Sequence, residues 1–288
     1  MSALKYAVLG ANGQLGQAFL RALGQDATGL TRDQVDLTQS ERMRAVLEKL
    51  RPEVVVNCTA YNGVDAAESD LVTPFAVNAW GVRDLARICQ DLGCVLVHFS
   101  TNYVFGLDRV RRSPLGETDL PGPVGVYGAS KLAGEYLARA ACARQYVIRT
   151  TGLFGVVRPG STRASFVELM LRLAGQGQPI RVVNDQICSP TRTDDLAMAT
   201  LALLGTGAYG LYQLTSAGEC TWHEFARTIF DMVGARVDLR AVASDDFGSP
   251  ARRPEYSVMA NEAYGRLGLA PIRHWKDALA QYLGERVV

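Results

Sequence analysis

Short apolar runs alternate with longer amphipathic stretches through the first 150 residues. The apolar runs have the length of buried strands and fall at residues 6–9, 28–30, 54–56, 95–99 and 146–148. Stretches with helical spacing lie between them at residues 14–23, 39–50, 74–92 and 126–143. Continuous apolar strands separated by amphipathic helices are typical of a parallel sheet covered on both faces. The pattern therefore predicts an α/β fold, a doubly wound parallel sheet of the Rossmann type.

The pattern becomes less regular after residue 150, where proline and glycine interrupt it. Short strands are predicted at residues 180–183 and 210–214, and helices at residues 165–174, 193–204, 221–233 and 274–283. We expect residues 1–150 to form the Rossmann domain. Residues 151–288 are expected to form a smaller α+β portion that packs over the strand ends, contacts mainly the substrate, and is free to return elements to the first domain.

Composition and charge limit the classes of partner that the protein is expected to bind. The 288 residues include 30 basic and 29 acidic side chains, interspersed along the chain, for a formal net charge of +1. No basic tail or long charged run indicates binding to nucleic acid or an anionic membrane. No apolar run is long enough to span a bilayer and no secretory signal is present, so we expect a cytoplasmic protein. Six cysteines and three histidines without ligand spacing predict no metal site.

The sequence GANGQLG, residues 10–16, joins the first predicted strand to the first predicted helix. Glycines at Gly10, Gly13 and Gly16 allow a tight turn, close approach of the backbone to a pyrophosphate, and close packing of helix on strand. The helix N-terminus attracts the phosphates. A glycine turn that only joins strand to helix is the structural alternative. Its position in a βαβ unit favours a dinucleotide site.

The residues after the second predicted strand bear on the choice of cofactor. Thr31 and Arg32 can receive a 2′-phosphate, which favours NADPH. Asp33 can instead hydrogen-bond a ribose hydroxyl, which leaves NADH possible. An exposed Arg32 with no role in cofactor binding is the structural alternative.

The sequence YGASK places Tyr127 and Lys131 four residues apart in a predicted helix, on one face. A nearby ammonium lowers the pKa of tyrosine from about 10 towards the working range of an acid, and Lys131 can also hydrogen-bond the nicotinamide ribose. Taken alone, the pair is as well explained by a structural helix. Thr101 follows the fourth predicted strand, at the edge where open α/β sheets bind ligands. With the glycine loop, these residues predict a reductase in which Tyr127 donates a proton.

His98 is a rival acid–base group, with Asp91 or Ser100 as its partner. It lies inside the apolar run VLVHFS, which favours a packed, hydrogen-bonded core histidine. No GxSxG sequence indicates a hydrolase nucleophile.

Longer stretches resemble the dTDP-4-dehydrorhamnose reductase family of the extended short-chain dehydrogenase/reductases. In chain order they are GANGQLG, VVNCTAYNGVDAAES, VNAWG, FSTNYVF, YGASKLAGE, VIRTTGLFG, VNDQICSPT and ARRPEYSVM. The resemblance implies reduction, by NADPH or NADH, of the 4-keto group of a dTDP-linked 6-deoxyhexulose. The implied substrate is dTDP-4-dehydrorhamnose, which would give dTDP-rhamnose, or a related dTDP-4-keto-6-deoxysugar.

The motifs and the resemblance together assign roles to individual residues. The catalytic residues are Tyr127, Lys131 and Thr101. The expected cofactor contacts are Gly10, Asn12, Gly13, Gln14, Leu15, Gly16, Thr31, Arg32, Asp36, Leu37, Ala60, Tyr61, Asn62, Tyr127 and Lys131. The expected substrate contacts are Thr101, Asn102, Gly152, Asp185, Gln186 and Arg253.

Three departures from the family pattern bear on the substrate. Asn102 stands where the family usually has aspartate, Gly152 replaces an aromatic residue that often packs on the sugar, and Cys188 replaces glycine. Some members form a metal-bridged dimer, but one position aligned with the bridging carboxylates is Ala18, so no metal is predicted and a monomer or a homodimer stays open. The alternative functions are a non-catalytic regulatory subunit of the same fold and a nucleotide-sugar 4-epimerase.

Overall fold

The computed structural model describes residues 4–156 and 165–286. The strands in these ranges are β1 (Tyr6–Leu9), β2 (Ala27–Leu30), β3 (Val54–Asn57), β4 (Val95–Thr101), β5 (Gln145–Thr150), β6 (Leu153–Phe154), β7 (Ile180–Val183), β8 (Ile187–Cys188), β9 (Thr191–Arg192), β10 (Gly210–Gln213), β11 (Cys220–Thr221) and β12 (Leu239–Val242).

The α-helices are α1 (Gln14–Leu23), α2 (Ser40–Leu50), α3 (Val64–Ala67), α4 (Val72–Phe75), α5 (Gly81–Leu92), α6 (Val126–Ala141), α7 (Phe166–Ala174), α8 (Thr193–Leu204), α9 (Trp222–Val233), α10 (Ser244–Phe247), α11 (Glu262–Gly265) and α12 (Trp275–Glu285). Short 3-10 helices cover Gly24–Asp26 and Asn102–Val104. None of the helices in the described ranges has both the length and the apolar character needed to cross a membrane.

The main sheet has six strands in the order β2-β1-β3-β4-β5-β10, and every neighbouring pair is parallel. Its strands bury side chains on both faces. In β1, Val8 packs with α1 and α8, whereas Ala7 and Leu9 pack with α2 and α5. This two-sided burial is what the continuous apolar runs predicted, and the doubly wound fold is confirmed.

The second half of the chain contributes to two regions. Its strand β10 pairs with β5, with Tyr212 opposite Ile148, and α8 packs on α1 beside the main sheet. Elements β6, α7, β7, β11, α9, β12 and α12 surround an apolar cluster in which Phe154, Phe225 and Trp275 pack ring against ring. Two-stranded pairs β7–β12, β8–β11 and β6–β9 complete this part.

Residues 74–92 are helical throughout, as predicted, but they do not form one regular α-helix. Helix α4 ends at Phe75, a π-helical turn covers Ala76–Trp80, and only then does α5 begin at Gly81. Inside the wide turn, the carbonyl oxygen of Asn78 lies so close to α6 that there is no room for a side chain at position 134, which is Gly134. Wide turns of this kind often occur at functional sites, because they re-aim a side chain.

Candidate active site

The glycine loop between β1 and α1 has the backbone geometry that its glycines allow. Gly10 has φ of +77°, in the left-handed region that other residues rarely adopt. Its N–H and that of Ala11 donate to the carbonyl oxygen of Leu30 at 3.0 and 3.1 Å. A Cβ on Gly16 would overlap the Gly10 carbonyl group, with the carbonyl carbon only 2.9 Å away. The loop therefore needs glycine at both positions to hold α1 against β1.

The first turn of α1 offers groups that fit a nicotinamide dinucleotide. The helix begins at Gln14 after Gly13 and carries no acidic residue in its first turn. The first N–H groups of a helix have no partner within it, and the helix dipole attracts anions such as a pyrophosphate. Leu15 packs into the core, so its backbone alone is left for a ligand. Gln14 Oε1 is buried without a hydrogen-bond partner among the described residues, which leaves an acceptor for a ligand hydroxyl or amide.

Arg32, which follows β2, lies at the same edge of the sheet as the glycine loop. The Thr31 N–H and hydroxyl donate to Gln34, and the Arg32 Nε donates to Asp36 at 3.0 Å. The Arg32 side chain is 82 % exposed, so its guanidinium is accessible. Leu37 is buried in the core. Arg32 and its neighbour Asp33 are both exposed, so a cation and a carboxylate are accessible at this point and both cofactors stay open.

The segment after β3 is held by Asn78. The Asn78 Oδ1 accepts from the Tyr61 N–H at 2.9 Å, and its Nδ2 donates to the Tyr61 carbonyl at 3.1 Å and to the Ser130 hydroxyl at 3.0 Å. These bonds fix the residues from Ala60 to Asn62 against α6. Asn62 Oδ1 lies 3.5 Å from the Tyr127 hydroxyl.

Helix α6 places Tyr127 in its first turn, at the carboxyl end of β4. The Tyr127 ring packs edge-on against Tyr103, with ring centroids 5.7 Å apart and an interplanar angle of 84°. The side chain of Thr101, the last residue of β4, lies beside this hydroxyl and favours the ionised form of the phenol. The structure therefore brings together Thr101, Tyr127 and Asn62, all of which the sequence predicted for the site.

Lys131 lies one turn further along α6 and is 2 % exposed. Its Nζ donates to the carbonyl oxygen of Phe99 at 2.6 Å. Burial lowers the pKa of Lys131 to about 8, against the opposing effect of the Glu135 charge. Lys131 is therefore a buried cation through most of the neutral range.

The prediction that Lys131 lowers the pKa of Tyr127 is wrong for this structure. Burial raises the pKa of the Tyr127 phenol to about 12, and the side chain of Thr101 offsets only part of this. The physical reason is that the loss of water outweighs the local charges. Tyr127 thus stays protonated at neutral pH, in the form that can donate a proton.

The sequence predicts that Asn102 faces the sugar, but the structure buries this residue. Its side chain is 4 % exposed. Its Nδ2 donates to the Ser257 hydroxyl at 2.7 Å, and its Oδ1 accepts from Thr101 at 3.3 Å. Asn102 therefore ties the end of β4 to the C-terminal half of the chain.

Gly152 lies where a side chain would be strained. Its φ is +56°, and a Cβ would lie 3.0 Å from the Pro190 Cα and 3.6 Å from the ring of Trp222. The Trp222 ring therefore lies beside Gly152, the position at which an aromatic residue of the family pattern is replaced by glycine. Burial raises the pKa of the neighbouring Cys188 thiol to about 12, which keeps that thiol protonated and unreactive.

The three remaining predicted substrate residues lie in two places. Asp185 accepts from the N–H and hydroxyl of Ser244 at 2.8 and 2.6 Å, and Gln186 donates to the same hydroxyl at 2.8 Å. They therefore stabilise the start of α10. Arg253 instead pairs with Asp65 at 2.8 Å, beside the Tyr103 ring.

Sequence reasoning missed the acidic residues of α3 and the turn after it. Asp65 accepts from Arg253, and Glu68 Oε1 accepts from the N–H of Val126 at 2.9 Å, directly before Tyr127. Both acids occur within VVNCTAYNGVDAAES, but no spacing rule links them to α6. Their partners lie far away along the chain, so the contacts become visible only in the fold.

A cavity of about 930 Å³ lies at the opposite edge of the sheet. Its walls include Tyr6, Val54, Val95 and Tyr146, at the amino ends of β1, β3, β4 and β5. The candidate site is at the carboxyl ends, so this cavity is not part of it.

Comparisons with known proteins cover nearly the whole chain. The family described as the RmlD substrate binding domain matches residues 4–287. A dTDP-4-keto-6-deoxy-D-glucose reductase of Streptomyces niveus is 38 % identical over 282 residues, 96 % of each chain. A dTDP-4-dehydrorhamnose reductase of Mycobacterium tuberculosis is 40 % identical over 284 residues, 96 % of this chain and 91 % of the relative. The structure of a Bacillus anthracis dTDP-4-dehydrorhamnose reductase in complex with NADP superposes with a TM-score of 0.93 at 32 % identity, covering 99 % of this chain and 100 % of that one.

Proposed function

The chain belongs to the RmlD substrate binding domain family, and from this premise we propose that it is an NADPH-dependent reductase of the 4-keto group of a dTDP-linked 6-deoxyhexose. The observation that carries the proposal is the meeting of Thr101, Tyr127 and Lys131 at the carboxyl end of β4, on the edge that also holds the glycine loop. The names of relatives that are 38 % and 40 % identical support it. The first substrate to test is dTDP-4-dehydrorhamnose, and dTDP-4-keto-6-deoxyglucose is the second.

The residues that would hold the cofactor lie in three segments of the first half. The backbone of residues 10–16 would bind the pyrophosphate, Thr31, Arg32, Asp36 and Leu37 would contact the adenosine part, and Ala60–Asn62 with Lys131 would contact the nicotinamide part. NADPH supplies, when bound, the hydride that adds to the keto carbon. The NADP complex of the Bacillus anthracis relative supports the choice of NADPH as the cofactor.

The chain's own residues would handle the proton and the developing charge. Tyr127, with its pKa of about 12, is protonated at neutral pH, and it donates the proton to the oxygen at sugar C4 as that oxygen becomes an alkoxide. Thr101, beside the phenol, would hydrogen-bond the phenol oxygen or the substrate oxygen. The Lys131 ammonium, on the same helix face, stabilises the negative charge that develops on the tyrosine oxygen.

Residues 151–288 would mainly shape the substrate pocket. Arg253, beside Tyr103, would face the nucleotide, and Gly152, beside Trp222, would face the sugar. Asn102, Asp185 and Gln186 would support the pocket indirectly, through their hydrogen bonds with Ser257 and Ser244.

Replacing Arg32 with alanine should change cofactor preference. The guanidinium is exposed and would pair with the 2′-phosphate that only NADPH carries. We expect KM for NADPH to rise about tenfold while KM for NADH changes little, since such a charge-assisted pair contributes about 1.5 kcal/mol or more. Steady-state kinetics with both cofactors measure this. Arg44→Ala is the matched control, because Arg44 pairs with Asp91 at the opposite edge of the sheet. Equal rises for both cofactors would remove Arg32 from phosphate recognition.

The proposed function is tested by a product assay with purified protein. dTDP-4-keto-6-deoxyglucose and its 3,5-epimerised form are each incubated with NADPH or NADH, and the nucleotide sugars are analysed by mass spectrometry. We expect one keto sugar to gain two hydrogens with stoichiometric oxidation of NADPH. A product isomeric with its substrate and a retained NAD would indicate an epimerase. No turnover together with stable co-purification of another enzyme would indicate a regulatory subunit.

A further inference from the structure

A buried ion pair lies next to Lys131, on the same face of α6. Glu135, one helical turn beyond Lys131, is 1 % exposed, and Arg149 of β5 is 2 % exposed. Arg149 Nε and Nη2 donate to the Glu135 carboxylate at 2.9 and 2.7 Å. The hydroxyl of Ser100 in β4 donates to the same carboxylate at 2.5 Å. Glu135 therefore joins α6 to both strands that end at the candidate site.

These contacts continue those of the catalytic residues. Along β4, the carbonyl of Phe99 accepts from Lys131, Ser100 donates to Glu135, and Thr101 contacts Tyr127. Three consecutive strand residues thus engage three successive turns of α6. The register of the helix against the strand end is fixed at each turn.

Glu135 offsets part of the buried positive charge in this cluster. Lys131 and Arg149 are buried cations, and Glu135 is the anion beside them. His98 of β4 also faces Lys131, but burial lowers its pKa well below the usual value, with Lys131 adding to the effect, so it carries no charge at neutral pH. Tyr127, on the same helix, stays protonated. Replacing Glu135 with a neutral residue would leave two buried cations with no nearby negative charge.

We propose that Glu135 is a positioning residue of this site: its carboxylate keeps Lys131 in the ammonium form and, through Ser100 and Arg149, fixes α6 against the ends of β4 and β5. The role in catalysis rests on the proposed reductase function, whereas the effect on Lys131 does not. A charged group in a low-dielectric interior needs a counter-charge more than one in water does. Glu135 lies one turn along the same helix face as Lys131, and its charge acts on the ammonium through space.

The direct test is the titration of Lys131 in the protein without substrate. The chain has four lysines, and the other three, Lys5, Lys49 and Lys276, are exposed. Carbon-13 labelling of the lysine side chains therefore gives few NMR signals, and Lys131→Met identifies the buried one. We expect the Lys131 midpoint near 8 in the wild type. In Glu135→Gln it should fall by about one pH unit, while the exposed lysines stay unchanged.

Two further variants separate the effect of the Glu135 charge on Lys131 from an effect of the substitution on the fold. Glu135→Asp keeps the charge and should restore most of the midpoint. Glu135→Gln combined with Arg149→Met removes the ion pair as a unit, which a fold tolerates better than one unpaired charge. Its Lys131 midpoint should also lie below that of the wild type, which gives a result even where Glu135→Gln alone does not fold. A midpoint within about 0.2 pH unit of the wild type in the folded variant would overturn the proposal.

The kinetic arm uses the pH dependence of kcat. With midpoints of about 8 and 7, Glu135→Gln should be about fivefold slower than the wild type at pH 8 and nearly equal to it at pH 6. A structural defect alone would lower kcat alike at both pH values, and that result would overturn the positioning role. Absence of turnover in the wild type would instead contradict the reductase function and leave the NMR result standing.

Discussion

Replacing Tyr127 with phenylalanine is expected to lower kcat for reduction of the keto sugar by about 100-fold to 10,000-fold. The variant lacks the hydroxyl that lies beside Thr101 and is protonated at neutral pH. The ring keeps its edge-on contact with Tyr103, so the pocket should keep its shape. NADPH affinity should therefore change little, since the lost interaction forms mainly in the transition state. Initial rates of NADPH oxidation and calorimetric titration with NADPH measure the two quantities.

The matched control for this substitution is Tyr136→Phe. Tyr136 lies on the same helix, but its side chain is 55 % exposed and faces away from the strand ends. Its kcat should stay within about twofold of the wild type, as expected for a surface change. Wild-type turnover in Tyr127→Phe would show that another group donates the proton.

The second large effect is expected from Gly16→Ala in the glycine loop. The new Cβ would overlap the Gly10 carbonyl group, which α1 can relieve only by moving away from β1. Because overpacking against rigid backbone is costly, the free energy of unfolding should fall by about 3 kcal/mol. NADPH binding should weaken as well, since the helix N-terminus moves with the loop. Chemical denaturation and calorimetric titration with NADPH test the two effects.

Gly13→Ala is the control for stability in the same loop. Gly13 has φ of −80°, which any residue adopts, and a Cβ there would lie 3.3 Å from the Gly10 carbonyl oxygen. Its free energy of unfolding should change by about 1 kcal/mol or less. Equal losses in both variants would contradict the specific role of close packing at Gly16.

The features that could be predicted from sequence are those set by local periodicity and backbone geometry. Strands such as β3 and β4 are buried on both faces, so their runs of apolar residues reveal a covered parallel sheet. Gly10 and Gly16 are predictable because positive φ and close approach both exclude a side chain. Thr221 followed three residues later by Glu224 is the sequence pattern of a capping box, and the structure forms both of its hydrogen bonds at the start of α9.

The features that could not be predicted depend on contacts between distant segments. Helical spacing put Tyr127 beside Lys131, but the pKa of Tyr127 depends on burial that no spacing rule measures. The wide turn at Asn78 depends on the approach of α6 across Gly134. In the same way, the burial of Asn102 depends on Ser257, which lies 155 residues further along the chain.

The central claim is that a hydride reaches sugar C4 while Tyr127 donates the proton. The most direct measurement uses NADPH deuterated at the nicotinamide C4 with dTDP-4-dehydrorhamnose, followed by mass spectrometry and NMR of the product. The account predicts one deuterium at sugar C4 in the wild-type product and very slow formation of the same product by Tyr127→Phe. The account would be contradicted if NADPH were not oxidised and no deuterium were transferred, either to this sugar or to dTDP-4-keto-6-deoxyglucose.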